Sequence, residues 1–150
     1  MITYRICKVA EILSETKLLE DYAVEGAISG LPKPSPQADL YDMLEKSGML
    51  HSFGAFNGEE LVGFMTVIAY KAPHYGELIA VSESVFVSKA FRKTGAGTRL
   101  IRMAEDHSKS IGAKGLLVSA PMGGSLSRMM QNPKSGYRQT NEVFFRGFHE

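Results

Sequence analysis

Arg92-Lys93-Thr94-Gly95-Ala96-Gly97 stands between a strand-like run, Glu83 to Val87, and a helix-like run, Thr98 to Ile111. The hexapeptide reads as an anion cradle. Glycines at 95 and 97 open backbone conformations closed to residues with a Cβ, so several N–H groups can turn toward one point while a ligand comes close. The helix behind it adds unpaired N-terminal donors and the positive end of its dipole, which favour phosphate or pyrophosphate. Arg92 and Lys93 place full charges beside those partial ones, and an arginine can hold two phosphate oxygens at once.

Spacing excludes two familiar phosphate loops. The pattern G-x-x-x-x-G-K-[ST] is absent, since neither Gly-Lys-Ser nor Gly-Lys-Thr occurs in the chain. In G-x-G-x-x-G the third glycine would fall at Leu100, and no acidic residue follows a second parallel strand at the expected place. What remains is R-x-x-G-x-G between strand and helix, with Val87 ending the strand five residues before Arg92. That combination resembles the GNAT superfamily of N-acetyltransferases, whose signature in this setting is [QR]-x-x-G-x-[GA]. Alone, the hexapeptide also fits a plain turn beside a solvated basic patch. The flanks favour the family: Ser82 to Arg92 looks like its fourth strand and following loop, with aromatic Phe91 just before the arginine. The similarity runs from about Glu60 to Phe148.

The resemblance implies an acetyl-CoA-dependent N-acetyltransferase that moves an acetyl group to a primary amine of a small molecule or protein by direct attack on the thioester. The pantetheine arm would enter a gap where the fourth and fifth strands part at a bulge. Val85, Phe86 and Val87 would line it, Val87 offering backbone hydrogen bonds, while Arg92, Lys93, Thr94, Gly95, Ala96, Gly97 and Thr98 would hold the pyrophosphate. Glu83, near the position from which several family members deprotonate the amine, is the candidate base, buried beside the cleft. A solvated or ion-paired glutamate on a sheet face is the alternative.

Many family members carry a tyrosine acid in the last short helix, in a pattern like N-x-x-A-x-x-x-Y-x-x-x-G-[FY]. Aligned on Gly136-Tyr137, that pattern puts Ser125 at the asparagine, Arg128 at the alanine and Asn132 at the tyrosine. Asn132 has no acidic proton, although it could hydrogen-bond the coenzyme. Solvent, Ser125 or Ser127 would then serve as the acid. The missing tyrosine keeps a second class open, a non-catalytic acyl-CoA-binding or regulatory protein on the same fold. A nucleotide-phosphate binding module is a third class, weakened by the failed motifs.

The 150 residues suit one N-acetyltransferase domain over 1–150, large enough for a sizeable core. A net charge of +1 with both signs interspersed argues against a nucleic-acid platform. No apolar run has the length of a membrane span and the first residues lack a signal-peptide pattern, so a cytoplasmic location is the default. The single cysteine, Cys7, excludes an internal disulfide and reads as a packed strand residue. Histidines 51, 74, 107 and 149 stand apart, and no metal is expected. The partner expected is the amine acceptor, and a homodimer is compatible with the chain. The acceptor would lie between the first two helices and the hairpin after Ala69, near Glu20, Asp21, Glu25, Asp39 and His74.

The pattern predicts an α/β fold with a mixed sheet of about six or seven strands flanked by helices, and the family resemblance implies that the sheet is splayed between the fourth and fifth. Strands are expected at Thr3–Val9, His51–Phe56, Leu61–Ala69, Leu78–Val87 and Gly115–Ala120, with an Asn57-Gly58 hairpin turn. Helices are expected over Ala10–Glu25, Pro36–Ser47 and Thr98–Ile111, the last two stopped by Gly48 and Gly112, and a short one after Ser125 carries Leu126, Met129 and Met130 inward. Tyr137–Thr140 and Glu142–Phe148 are expected to close the sheet as two strands whose four aromatics pack in the core.

Overall fold

The structure, a computed structural model, describes residues 1–148. Five strands form one mixed sheet in chain order: β1 Ile2–Cys7, β2 Leu50–Asn57, β3 Glu60–Ala72, β4 Glu77–Val87 and β5 Leu116–Leu117. The first four alternate in direction, and β5 lies parallel to β4. A parallel neighbour needs a crossover, which α4, Ala96–Ser110, supplies.

The two faces of the sheet are covered separately. On one, Leu100, Ile101 and Ala104 of α4 pack with Phe53, Met65 and Val67, and α5, Ser125–Gln131, adds Leu126, Met129 and Met130 at the margin, as its spacing predicts. On the other, Ile12 of α1, Val9–Leu13, and Leu18 of α2, Thr16–Glu25, close over Phe56, Leu61, Phe64 and Phe86. Each fully buried side chain of this size contributes about 1.5–3 kcal/mol. Cys7 belongs to the second cluster, and burial pushes its thiol up to about 12, as befits a packing residue.

Several helix and turn boundaries differ from the sequence reading for local reasons. The expected helix over Ala10–Glu25 breaks into α1 and α2 because Ser14 turns its hydroxyl back to the Glu11 carbonyl, at 2.9 Å, and ends the first turn there. The α3 helix, Ala38–Lys46, starts two residues after Pro36 and ends as predicted at Gly48, whose φ of 82° lets Met49 N–H reach the Leu44 carbonyl. In the β2–β3 hairpin Asn57 pairs with Glu60, so the turn residues are Gly58 and Glu59 and only Gly58 takes positive φ.

The sheet has five strands, short of the expected six or seven, because Tyr137 to Phe148 stays outside it. Val143-Phe144-Phe145 lacks the apolar–polar alternation that gives a strand one buried face, and a two-residue β5 offers little backbone for a further strand to register on. Of the four aromatics placed in the core by the sequence reading, only Tyr137 packs against the sheet's α4 side. Phe144, Phe145 and Phe148 are exposed. The strand expected over Gly115–Ala120 likewise shrinks to Leu116–Leu117.

Beneath the last turn of α4, His107 Nε2 and His51 Nδ1 lie 2.9 Å apart, and the Phe53 ring stands edge-on to His107. Burial, and then the neighbouring His107, lower the point at which His51 takes a proton below the ordinary 6.5. The unfolded chain therefore binds more protons in this range, so the stability is complete above about pH 6.5 and is lost as the pH falls through it. Urea denaturation at about pH 7.5 and about pH 5 is expected to show this loss. His51→Gln should shrink it, and an unchanged pH difference in that variant would assign the loss elsewhere.

Candidate active site

The site begins with one extra residue in β4. Thr66 of β3 pairs with Ser84 and Val67 pairs with Ser82, so Glu83 has no opposite number and forms a bulge. A bulge bends its strand and sharpens its twist. On the other edge of β4, only Ala80 and Val81 pair with Leu116 and Leu117 of β5. Past them the Ser82 hydroxyl takes over, accepting the Ser119 N–H at 3.0 Å, and the strands part. From Glu83 to Val87 this edge of β4 has no strand partner among the described residues. The parallel pair and the parting match the sequence reading.

Val85 and Val87 face α4 and are partly buried there, whereas Phe86 is buried on the opposite face with Phe64 and Tyr22. After Val87 a short 3₁₀ turn, Lys89–Thr94, leads to Gly95, which caps α4 with φ at 85°. The first α4 bond runs from Arg99 N–H to the Gly95 carbonyl, so the amides of Ala96, Gly97 and Thr98 have no intrahelical acceptor, and no side chain caps them. The helix starts two residues earlier than expected, and the two glycines differ in role. Gly95 needs its left-handed backbone; Gly97 is helical, and a Cβ there would meet only Met129 Cε at 3.7 Å and Val87 Cγ2 at 4.0 Å. A Cβ is thus accommodated at Gly97 in ordinary contact. Thr98 donates to Met129 Sδ at 3.4 Å and Thr94 to the Phe91 carbonyl at 2.5 Å, so neither hydroxyl proton is free.

Arg92 does more than carry charge. Its Nε donates to the Val87 carbonyl at 2.9 Å and its Nη2 to Glu25 at 2.7 Å, with the guanidinium above the Phe86 ring. Arg92 so ties the end of β4 to α2, and it occupies the carbonyl that the sequence reading offered to a ligand.

Glu83 is exposed rather than buried beside the cleft, because the bulge turns it out of the pleat. Its carboxylate is nevertheless held: Oε2 accepts from Thr66 Oγ1 at 2.6 Å and Oε1 from the Tyr41 hydroxyl of α3. Thr66 and Ser84 hydroxyls lie 2.6 Å apart beneath it. The sequence reading missed Tyr41 and Thr66. Thr66 carried a signal, being the lone polar residue inside the apolar run from Leu61 to Ala69. Tyr41 carried none, since its helix has no motif.

Asn132 is exposed and caps the 3₁₀ turn Pro133–Ser135, its Oδ1 accepting the Lys134 N–H at 2.9 Å. Tyr137 donates to Glu105 of α4 at 2.8 Å, so its hydroxyl is committed to the helix. Ser127 accepts from Gln131 at 2.9 Å. Of the acidic residues expected around an acceptor, Glu25 is paired with Arg92 and Asp21 with Lys17, and His74 packs edge-on against Tyr75. Among the described residues no three His, Cys, Asp or Glu gather as a metal site, and no helix is long and apolar enough to cross a membrane.

The model of the Acetyltransferase (GNAT) family matches residues 16–122, and the chain belongs to that family. No curated protein sequence matches it. The fold is similar to an aminoglycoside acetyltransferase, HMB0005, from an uncultured soil metagenomic sample (TM-score 0.75, 18% identity, 97% of each chain covered). It is also similar to a transcriptional regulator from Bacillus halodurans C-125 (TM-score 0.77, 20% identity, 99% of this chain and 100% of that one). A third similar structure is AAC(6')-Iy in complex with a CoA-containing bisubstrate analogue (TM-score 0.74, 18% identity, 97% of each chain). At such identities the likeness establishes the fold.

The two cradle glycines should respond oppositely to alanine. Gly95→Ala forces a Cβ into the left-handed region and is expected to cost about 1–2 kcal/mol. Gly97→Ala meets no clash and removes freedom from the unfolded chain, a gain of about 0.4–1 kcal/mol. Paired urea melts measure both, and equal effects would contradict the assigned backbone roles.

Proposed function

We propose that this member of the GNAT family is an acetyl-CoA-dependent N-acetyltransferase whose acceptor is a primary amine of a small molecule or protein. One coincidence carries the reading: the Glu83 bulge, the unpaired edge of β4 beyond it and the free amides opening α4 lie along a single strand and turn. The fit to the co-substrate rests on those amides, which no side chain caps.

Acetyl-CoA supplies the thioester that the amine attacks. The chain's part is to bind, orient and take up a proton. Ala96, Gly97 and Thr98 amides, with Lys93, would receive the pyrophosphate, as expected of a helix N-terminus after a glycine turn. Val85 and Val87 would receive the pantetheine arm along the open edge, as an added strand does, with the Val87 carbonyl already held by Arg92 and Phe86 bracing the strand from the opposite face. Arg92 would contribute mainly by holding Val87 and α2 in place, and Asn132 retains its amide NH₂ for the coenzyme. Glu83 would accept the proton of the incoming amine, directly or through water, since a protonated amine cannot attack.

A non-catalytic acyl-CoA-binding or regulatory role is the second reading, favoured by one observation: Asn132, and no tyrosine, ends α5. Turnover separates the two. Purified protein with acetyl-CoA and a panel of an aminoglycoside, a polyamine and a peptide with a free N-terminus is expected to release thiol with at least one amine. Binding of acetyl-CoA without thiol release from any of them would favour the second reading. Glu83→Gln should keep acetyl-CoA affinity, measured by titration calorimetry, while slowing turnover by about 10²–10⁴-fold. Gly97→Glu should crowd the cradle and repel phosphate, and undiminished acetyl-CoA affinity in it would overturn the cradle assignment.

A further inference from the structure

Each oxygen of the Glu83 carboxylate receives one hydroxyl donor, Thr66 from the sheet and Tyr41 from α3. The two donors are not alike. Thr66 is buried in the middle of β3 and shares its hydroxyl with Ser84, so it belongs to the sheet's fixed floor. Tyr41 arrives from an element with no buried residue, held to the fold chiefly where Glu45 accepts the Val9 N–H at 2.7 Å. No demand of core packing puts Tyr41 there; its hydroxyl faces the bulge and bonds the one carboxylate in it.

We propose that Tyr41 is a positioning residue for the reaction: its hydroxyl fixes the plane and rotamer of the Glu83 carboxylate from the side opposite Thr66. The inference rests on the reading of Glu83 as the base. A glutamate on a bulge has three rotatable bonds and, with one donor, can still swing about that contact. A second donor on the other oxygen removes the swing. A carboxylate offers about four lone-pair sites, so two remain for the amine or a bridging water. Burial, and then the bond to Glu83, push the ionisation of Tyr41 well above the ordinary tyrosine range, so it stays a donor at any working pH.

The experiment has an arm that needs no acceptor and an arm that does. In the full chain labelled with ¹³Cζ-tyrosine, the chemical shift of the Tyr41 resonance, assigned by its loss in Tyr41→Phe, is expected to move in Glu83→Ala, which removes the acceptor of its hydroxyl. No change would overturn the clamp, whatever the enzyme's activity. In the thiol-release assay with the best amine of the panel, Tyr41→Phe should lower kcat about tenfold or more and leave the KM for acetyl-CoA unchanged, since misplacement by about 1 Å can cost up to about 10²-fold. Tyr41→Met is a second hydroxyl-free variant should Tyr41→Phe fold poorly. Combined with Glu83→Gln, Tyr41→Phe should add nothing. An impaired Glu83→Gln beside a Tyr41→Phe with unaltered kcat overturns the role of Tyr41 alone. Full turnover in Glu83→Gln overturns the base and its positioning residue together. Absence of turnover with every amine strikes at the acetyltransferase reading and withdraws the positioning role with it.

Discussion

One residue too many in β4 sets the geometry of the site. Glu83 has no partner on β3, so the strand turns at that point, and its other edge loses β5 within two residues. The backbone left over cannot be satisfied by the sheet and is available to an extended ligand. Because α4 has to cross over from the end of this same strand, its unpaired amides fall beside the open edge. In α/β sheets ligands sit beyond the carboxyl ends of parallel strands for the same topological reason.

Charge plays a different part from the one a basic hexapeptide suggests. Arg92 is bonded to the Val87 carbonyl and to Glu25, so the cation of the motif braces α2 against the strand end. The partly exposed ion pair contributes only about 0–1 kcal/mol, but the bond to the strand carbonyl fixes where the turn leaves the sheet. In the proposed acetyltransferase, anion recognition would then fall to backbone donors whose direction the turn has set. Lys93 adds a charge that needs no fixed geometry.

The parts of this molecule legible in the sequence are those governed by local rules. Gly48 and Gly112 end their helices with positive φ, and of Leu100, Ile101, Ala104, Ser108 and Ile111, which recur at helical spacing, all but Ile111 are buried. The turn into α4 was legible for the same reason, since a left-handed Gly95 between strand and helix is a local event. What depended on distant neighbours was not. Tyr137 to Phe148 looked like strands, yet a strand needs a neighbour with free backbone, and β5 is two residues long. The exposure of Glu83 follows from a mismatch between two strands that neither reveals alone. Tyr41 reaches the site across 42 residues of chain, and no spacing in its own helix announces it.

The weak seating of α3 has a consequence for how such a protein changes over generations. Leu40 and Met43 are exposed, and the helix has no residue in either core, so most of its surface can be rewritten without disturbing the sheet. Substitutions away from a core usually alter stability by no more than about 0.5 kcal/mol. On the proposed acetyltransferase reading, selection for a different acceptor could therefore act on α3 while Thr66, Ser84 and the bulge stay as they are. The fold would then separate the residues that are free to drift from those that hold the chemistry in place.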